Sequence, residues 1–512
     1  MNAMVHQKKE INVGHQQVDF HFFLTFLCIH MIVWTIVPTL LYKSLPLDTL
    51  ETIAWGTGDM TWGNSKHPPL SGWIAAFIER ICGYQDFPFY LLSQLCSVLG
   101  IFCCYRVFRF FLSDNESKIA AIVQSLIFSY NFLAIEFNVN VITLFLWPLT
   151  TLFFLRTLQS SCIFDFIILG VLIGINILTK YSCVFLFCGF GLYLIVLHMK
   201  KTKRFNSFSF KTKRFIMGYF CTFILAILIS LPHIIWLIQE NFPSFSYIYN
   251  RIQNDSEGTN WSVQFFLRPF QLLLNVFFVL ILPFIVLFFS QKNRMKFSFQ
   301  KCLKEKSDAF IFSTCIFIAP LILLIMFNLI GMNVRTMWIN FLCFSAGLFL
   351  FSLLFTDNEI DIARFRIILC LFSSLIIFGF TFVTLLKTSQ RRNFPVCEIA
   401  KDLQSLYVSY TKHPLTYVIG DIFHAGFMHH YSPAHPIPCI YNNSMEVKRL
   451  KSKLQNNSYF VLSDAISDIK ASVLNLESYE PEQENIQSRE VHYSSFYGKE
   501  KQTTIYYFFS KK

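Results

Sequence analysis

Two carboxylates and a lysine-histidine pair stand close together in LPLDTLETIAWGTGDMTWGNSKHPPLSGW, residues 45–73. Asp48 and Glu51 are three residues apart, so a helix in this segment would place both on one face. Lys66 and His67 precede a Pro-Pro pair, which restricts the backbone beside them. A carboxylate can take a proton from a hydroxyl, and a cation can bind a phosphate. The segment therefore predicts a site for acid-base chemistry on a phosphorylated substrate.

Each of these residues also has a purely structural interpretation. Asp48 at a helix N-cap, with Glu51 at the third helical position, would form a relative of the capping box. Lys66 could extend to lipid head groups as an interfacial anchor. The position of the segment, directly after an apolar run, favours the functional interpretation. Charged residues beside a bilayer are costly and often belong to functional sites.

Further cations stand at the ends of later apolar runs. Lys180 in ILTKYS and Arg335 in GMNVRTMW each fit an interfacial anchor, but with Lys66 they predict one anion-binding site at a single membrane surface. Trp338 follows closely and could stack on a sugar or belong to an interfacial belt of tryptophans. Asn140 lies in FNVN, which is typical of a turn between helices.

The composition indicates that these residues belong to a membrane protein. Of 512 residues, 54% are hydrophobic and 14% charged, with 61 Phe. The mean hydropathy is +0.48. A water-soluble core could not bury so much apolar surface. The formal net charge of +12 does not indicate nucleic-acid binding, because the lysines and arginines gather in short loops between apolar runs, where they orient a membrane protein.

Eleven apolar runs, each about 20 residues long, predict eleven transmembrane helices. They occupy residues 20–42, 88–112, 117–135, 139–156, 162–178, 181–199, 214–238, 263–290, 308–330, 336–356 and 365–387. Lysine and arginine concentrate in alternate loops, including HMKKTKRFNSFSFKTKR and QKNRMKFSFQKCLKEK. This predicts a cytoplasmic N-terminus with an uncleaved signal anchor, and it places the residues discussed above on the opposite face.

The polarity of the chain divides it into three parts. We expect a cytoplasmic N-terminus at 1–19, a transmembrane domain at 20–387 with its first outer loop at 43–87, and an extracytoplasmic α/β domain at 388–512. The last part combines the helical stretch CEIAKDLQSLYV with the strand-like TYVIGD, SYFVLS and TTIYYFFS. Four histidines in FHAGFMHHYSPAHP lack the carboxylate or cysteine spacing of a metal site.

The order of these features resembles a known family. An acidic pair after the first membrane helix, an aromatic-glycine stretch, a basic residue before Pro-Pro-Leu and Trp, and a small outer domain are similar to the GT-C lipid-linked glycosyltransferases. The resemblance is to glycosyltransferase family 39, the PMT-like group, which includes protein O-mannosyltransferases and the bacterial aminoarabinose transferase of lipid A. The motifs that carry it are LDTLETIAWG and KHPPLSGW, supported by ILTKY and RTMW.

The resemblance implies roles for particular residues. Asp48 and Glu51 would be catalytic, and by its distance to the prolines Glu51 matches the family glutamate, so either could be the base. A second family acid, between helices 3 and 4, is replaced by Asn140. The substrate-binding residues implied are Lys66, His67, Lys180, Tyr181, Arg335, Trp338 and Asn140. A divalent metal ion stays open as a cofactor.

The resemblance also implies a reaction and a location. A sugar would pass from a polyprenyl-phosphate donor to an envelope acceptor, such as a lipid, glycan or protein, at the periplasmic face of a bacterial inner membrane. The alternatives are a transporter or flippase of lipid-linked sugars and a non-catalytic envelope assembly protein. A transporter predicts polar residues along a path deep in the bilayer, whereas the candidates here cluster at one surface. Phosphate-binding loops and zinc-protease or serine-hydrolase motifs are absent from the sequence.

Overall fold

A computed structural model describes most of the chain. The described residues are 17–57, 61–160, 162–200, 213–257, 260–292, 307–334, 336–355, 360–387, 391–440, 451, 454, 459–477 and 485–510. Some expectations fall outside these ranges: the N-terminal segment 1–16, the centres of the basic loops at 201–212 and 293–306, and Arg335.

Helices make up the membrane part. They are α1 (Phe20–Leu41), α2 (Leu47–Gly56), α3 (Leu70–Cys82), α4 (Phe87–Phe108), α5 (Asp114–Ile122), α6 (Val139–Ser160), α7 (Ile163–Thr179), α8 (Cys183–Lys200), α9 (Lys213–Gln239), α10 (Pro243–Ser256), α11 (Arg268–Phe289), α12 (Ser307–Leu329), α13 (Ala346–Leu354) and α14 (Ile362–Leu386). A π-helical turn, Val263–Leu267, leads directly into α11.

Eight helices in the described part of the chain are long and apolar enough to cross a membrane, namely α1, α4, α6, α8, α9, α11 with its π-helical turn, α12 and α14. Large apolar side chains on their outer faces are exposed, including Leu40 at 72%, Ile367 at 68% and Phe378 at 67%. Such surfaces are stable in lipid and not in water. The predicted multi-pass membrane protein is therefore confirmed.

The other three predicted spans contain helix, but each is either shorter than the eight long helices or interrupted. The run at 117–135 becomes α5 followed by short 3₁₀ turns, and the two halves are bent by 82°. The run at 162–178 is the 17-residue α7, and the run at 336–356 is a 3₁₀ segment (Thr336–Ser345) leading into α13. The sequence thus locates eleven helical segments, of which eight are long and continuous among the residues described.

Side chains from neighbouring helices stabilise the break after α5. The Tyr130 carbonyl accepts from Ser97 Oγ at 2.8 Å, and His30 Nε2 lies 2.8 Å from the same oxygen. Gln94 Nε2 donates to the Ala134 carbonyl at 3.0 Å. Non-helical backbone at membrane depth is stable only where its polar groups find such partners. The break lets residues 136–140 enter the candidate site described below.

The short helices α2 and α3 lie between α1 and α4, in the predicted first outer loop, and cross at two glycines. A Cβ on Gly56 would lie 2.1 Å from the Gly72 carbonyl oxygen, and a Cβ on Gly72 would lie 3.0 Å from the Gly56 nitrogen. The backbones can approach this closely only without side chains. Helix α3 begins directly after the Pro-Pro pair of the segment.

The C-terminal part folds around a mixed five-stranded sheet. Its elements are α15 (Val396–Thr411), β1 (Tyr417–Gly420), α16 (Ile422–Tyr431), β2 (Ile437–Ile440), β3 (Tyr459–Ser463), α17 (Ile466–Glu477), β4 (Gln487–Tyr493) and β5 (Lys501–Phe509). The strand order is β2-β1-β3-β5-β4; β2, β1 and β3 are parallel, and β5 is antiparallel to both β3 and β4. The predicted helix and three strands match α15, β1, β3 and β5, while the sequence analysis missed β2 and β4.

This sheet domain docks on the first outer loop through α16. His430 Nδ1 lies 2.8 Å from Glu79 Oε1 on α3, and His429 Nε2 lies 3.2 Å from Glu79 Oε2. Burial would raise the pKa of Glu79, but hydrogen bonds from both histidines hold that pKa at about 2. The Tyr431 hydroxyl donates to Asp86 at 2.9 Å and accepts from the Leu45 backbone N–H at 2.7 Å. The sheet domain is therefore fixed to the loop that holds the predicted acids.

Candidate active site

Helix α2 presents the two predicted acids, but not as a helix cap. The helix begins after Pro46, whose side chain cannot cap it, so Asp48 lies in the first turn and Glu51 one turn later. Glu51 is buried at 5% exposure, and Asp48 is half-buried. The capping-box interpretation is therefore wrong, because neither carboxylate caps α2.

Lys66 binds Glu51 from the loop between α2 and α3. Its Nζ donates to both carboxylate oxygens, at 3.0 Å to Oε1 and 2.8 Å to Oε2. The backbone N–H groups of Lys66 and His67 both donate to Asn64 Oδ1 at 2.8 Å, which fixes this turn of the loop. The interpretation of Lys66 as a lipid anchor is wrong, since the ammonium points inward and also lies 5.6 Å from the centre of the Trp55 ring.

Burial and neighbouring charge determine the protonation of this group. Burial raises the pKa of Glu51, and the Lys66 ammonium opposes that shift. Burial would lower the pKa of Lys66, but the Glu51 carboxylate raises it above its ordinary value. Burial together with the charges of Lys66 and Lys180 holds the pKa of His67 well below its ordinary value. The lysine is therefore the charged cation here, and the imidazole is neutral.

The loop before α6 forms the second wall. Asn138 Nδ2 donates to Asp48 Oδ2 at 3.2 Å, while Asn138 Oδ1 accepts from the Asn140 backbone N–H at 2.8 Å at the start of α6. Lys180, directly after α7, donates from Nζ to Asn140 Oδ1. Burial lowers the pKa of Lys180 to about 8, with a further contribution from the charge of Lys66.

Helix α10 supplies a third wall that the sequence analysis did not find. Tyr247 and Arg251 are one turn apart, and Arg251 Nη1 donates to the Tyr247 hydroxyl at 3.3 Å. The Arg251 guanidinium lies 4.7 Å from the centre of the Trp338 ring, which is the geometry of a cation-π contact. The Arg251 side chain is only 14% exposed, and its Nε lies 3.6 Å from Asp255 Oδ2.

These walls enclose one small cavity of about 110 Å³. Three cations, Lys66, Lys180 and Arg251, and the two carboxylates of α2 line it. The remaining lining residues are Thr52, Trp55, His67, Asn138, Val139, Asn140, Tyr247 and Trp338. Such an arrangement can bind an anion with the cations and accept a proton with a carboxylate.

The structure thus brings together seven of the nine predicted site residues. Those that line the cavity are Asp48, Glu51, Lys66, His67, Asn140, Lys180 and Trp338. Tyr181 is not among the lining residues: its hydroxyl lies 3.0 Å from His233 Nε2 and 3.1 Å from Ser244 Oγ. Arg335 lies outside the described residues.

A second acid is present in the loop where the sequence analysis found only Asn140. Glu136, four residues earlier, is half-buried. The pKa of Glu136 is raised to about 7, mainly by burial and to a smaller extent by the charge of Asp48. The carboxyl is therefore close enough to Asp48 for their charges to interact. The sequence analysis passed over this residue, which stands at the end of an apparently continuous apolar run and is not among the residues that line the cavity.

A separate group of potential metal ligands lies in the sheet domain. Asp421, His424 and Asp464 form the one cluster of three such side chains among the described residues. Burial would lower the pKa of His424, but the hydrogen bonds that its ring donates to Asp421 and Asp464 raise it to about 9. The cluster joins the start of α16 to the end of β3, with His424 buried and Asp464 exposed.

Comparison with known proteins agrees with this architecture. Residues 66–236 match the family described as Dolichyl-phosphate-mannose-protein mannosyltransferase. The structure is similar to that of ArnT from Cupriavidus metallidurans bound to undecaprenyl phosphate, with a TM-score of 0.56, 11% identity, and 95% of this chain and 98% of that chain covered. The apo form of ArnT gives a TM-score of 0.55 at 11% identity, with the same coverage of both chains.

A weaker similarity is to the Archaeoglobus fulgidus oligosaccharyltransferase, with a TM-score of 0.42, 13% identity, and 90% of this chain and 72% of that chain covered. No curated protein matches the sequence. The family match and the ArnT-like fold confirm the resemblance that the motifs indicated.

Proposed function

We propose that this chain, a PMT-like glycosyltransferase of the GT-C type, transfers a sugar from a polyprenyl-phosphate donor to a hydroxyl or phosphate group of a cell-envelope acceptor. The observation that carries the proposal is the cavity itself, where three cations and two carboxylates from distant parts of the chain meet. Two related findings support a lipid-linked donor: the family match is to a dolichyl-phosphate-mannose enzyme, and the similar ArnT structure contains undecaprenyl phosphate.

The cations would act on the leaving group. When the anomeric carbon separates from the lipid phosphate, negative charge grows on the phosphate oxygen. Lys180 and Arg251 are the cations best placed for this charge, because Lys66 already donates to both oxygens of Glu51. Preorganised charge in a buried cavity is worth more than the same charge in water.

Asp48 is our candidate for the general base. Its Oδ2 accepts one long hydrogen bond from Asn138, at 3.2 Å, so lone pairs remain for the proton of an acceptor hydroxyl. Both oxygens of Glu51, by contrast, accept from Lys66 at 3.0 Å or less. We assign Glu51 the role of holding Lys66 in position, and Asp48 the role of taking the proton.

A divalent metal ion would be held through Asp48, which lines the cavity. Glu136 does not line it, but the charge of Asp48 contributes to the raised pKa of Glu136, so the two carboxyls interact. Oxygen ligands suit Mg²⁺ or Mn²⁺, and a cation between the two groups would relieve their repulsion. Bound there, it would add positive charge for the leaving phosphate.

The orientation of the chain follows from its basic loops. We place the protein in a bacterial inner membrane, with the cavity and the sheet domain on the periplasmic side. The start of α4 and the start of α6 then lie at the outer surface, where a lipid-linked sugar can face water while its tail lies between helices. A flippase is less well supported, because the described charged residues of the cavity lie at one end of the spans and not along a path through them.

An in vitro transfer assay tests the proposal. The purified chain is incubated with polyprenyl-phosphate sugars, and the products are analysed by mass spectrometry alongside envelopes from cells with and without the gene. We expect a mass increase of one sugar on an envelope component, and a loss of turnover of about 100-fold or more in Asp48→Asn.

The control is Asp19→Asn, at the N-cap of α1, far along the chain from the cavity. Both variants should insert in the membrane and elute as the same species as the unaltered chain. Full turnover by Asp48→Asn would eliminate Asp48 as the base. The absence of any transferred sugar, with every donor tested, would refute the enzymatic function.

A further inference from the structure

A second cavity lies at the opposite membrane surface from the candidate active site. Helices α4 and α6 each have 22 residues and both start near the active site, so their other ends lie about 33 Å away. Between those ends and the start of α7 is an open cavity of about 660 Å³. Its size is in the range of small-molecule sites, and no step of the proposed transfer reaction uses it.

The cytoplasmic end of this cavity is basic. Arg106, Arg109 and Arg156 line it together with one carboxylate, Asp165. Arg156 Nε donates to Asp165 Oδ1 at 2.7 Å, and Arg109 pairs with Asp114. Arg106 is exposed, and it forms no ion pair with a carboxylate in the described part of the chain.

From Leu152, which lines the same cavity, an apolar stripe continues along α6 away from the arginines. Helix α6 is largely buried, but Phe145, Leu149 and Leu152 remain half-exposed. These three residues are spaced by four and three positions, and the same spacing continues to Arg156 and Gln159. Residues at these intervals share one face of a helix. A continuous track therefore leads from mid-membrane side chains to the arginines at the surface. An apolar track that ends at charged side chains is complementary to an acyl chain attached to a charged head group.

We propose that this cavity binds an anionic phospholipid of the cytoplasmic leaflet, with its phosphate at Arg106 and Arg156 and one acyl chain along the α6 stripe. The charge of the lining is complementary to a phosphate, because Arg109 and Arg156 pair with Asp114 and Asp165 and the charge of Arg106 remains in excess. Basic pockets between membrane helices on the cytoplasmic side are suited to such head groups. A bound lipid would fill the space between α4 and α7. It would also fix the cytoplasmic ends of α6 and α7, whose opposite ends place Asn140 and Lys180 in the active-site cavity.

Native mass spectrometry of the full-length chain in a mild detergent tests this site. The chain is titrated with phosphatidylglycerol, with zwitterionic phosphatidylcholine of the same chain length, and with glycerol 3-phosphate. We expect phosphatidylglycerol to bind at least about fivefold more tightly than phosphatidylcholine, which corresponds to one arginine contact at a membrane surface. Arg106→Gln should abolish this preference, and the variant should fold because the side chain is exposed.

Arg214→Gln is the matched control. Arg214 is also an exposed arginine at the cytoplasmic end of a helix, α9, but it does not line the cavity. The proposal is overturned if phosphatidylcholine binds as well as phosphatidylglycerol, or if Arg106→Gln and Arg214→Gln change binding equally. Glycerol 3-phosphate that binds as tightly as the lipid would also overturn it, because the site would then recognise a soluble phosphate. None of these outcomes depends on the transferase activity.

Discussion

The ion pair of Lys66 and Glu51 gives a sharp prediction, because its two members are unequally buried. The Glu51 side chain is 7% exposed and the Lys66 side chain 27%. Replacing Lys66 with Met removes two charge-assisted hydrogen bonds and leaves a buried carboxylate without its cation. Replacing Glu51 with Gln leaves an ammonium that water can still reach.

The expected free energies follow from this asymmetry. Removing one partner of a fully buried ion pair costs about 3 to 5 kcal/mol. Because water reaches part of Lys66, we expect Lys66→Met to lower the free energy of unfolding by about 2 to 4 kcal/mol. Glu51→Gln should cost about 1 to 2 kcal/mol, since the amide still accepts one hydrogen bond. The double variant, Lys66→Met with Glu51→Gln, should lie within about 1 kcal/mol of the unaltered chain, because no unpaired charge remains.

The measurement is a double-mutant cycle in mixed micelles. Unfolding is followed by titration of the purified chain with sodium dodecyl sulfate, and sugar transfer is measured on the same preparations. Lys43→Met, an exposed lysine before α2, is the matched control and should change neither quantity. We expect the double variant to regain stability but not turnover, because the ion pair orients the loop that borders the cavity.

Two results would refute this reasoning. Equal losses of stability from the two single variants would mean that burial does not distinguish the partners. A double variant whose loss of stability equals the sum of the two single losses would mean that the pair contributes no coupling, so that the contact is incidental.

Two further predictions concern charge and packing. Because the pKa of Lys180 is about 8, transfer should fall as the pH rises through 8, when the ammonium loses its proton, and Lys180→Arg should keep activity to higher pH in a pH-rate profile. Gly56→Ala should lower transfer at least about tenfold, because its Cβ would lie 2.1 Å from the Gly72 carbonyl and displace α2. Gly191→Ala on α8, where no atom lies within 4 Å of the added Cβ, should leave transfer unchanged in the same assay.

The sequence predicted well those elements that can be recognised from a short stretch of consecutive residues. A run of apolar residues is long enough to identify a membrane helix by itself, and all eleven runs contain helix. Lys180 was found because it is a charge at the edge of such a run, where a charge is costly and often marks a site. Lys66 was found because it precedes Pro-Pro in the polar segment that also holds Asp48 and Glu51. Their convergence on one cavity followed from assigning their loops to the same membrane surface.

The residues that were missed depend on tertiary contacts. Arg251 lies on α10, a polar helix in a long loop, and only its packing beside Trp338 distinguishes it from an ordinary surface arginine. Glu136 follows a run that appears continuous in sequence, whereas the chain breaks where Ser97 and Gln94 bind free backbone carbonyls. Apolar composition does not reveal such a break, because the partners come from a different helix.

The position of the acids depends on the C-terminal domain as well as on the membrane helices. With only ten residues, α2 is too short to be stable by itself, so its position is set by packing. On one side it crosses α3 at Gly56, and on the other it packs against α16, where a Cβ on Gly426 would lie 2.9 Å from Leu50 Cβ. Leu50 lies between Asp48 and Glu51 in the chain, so a shift of α16 would move both carboxylates. The sheet domain is therefore part of the structure that positions the cavity, and its removal should disturb the acids before it affects the spanning helices.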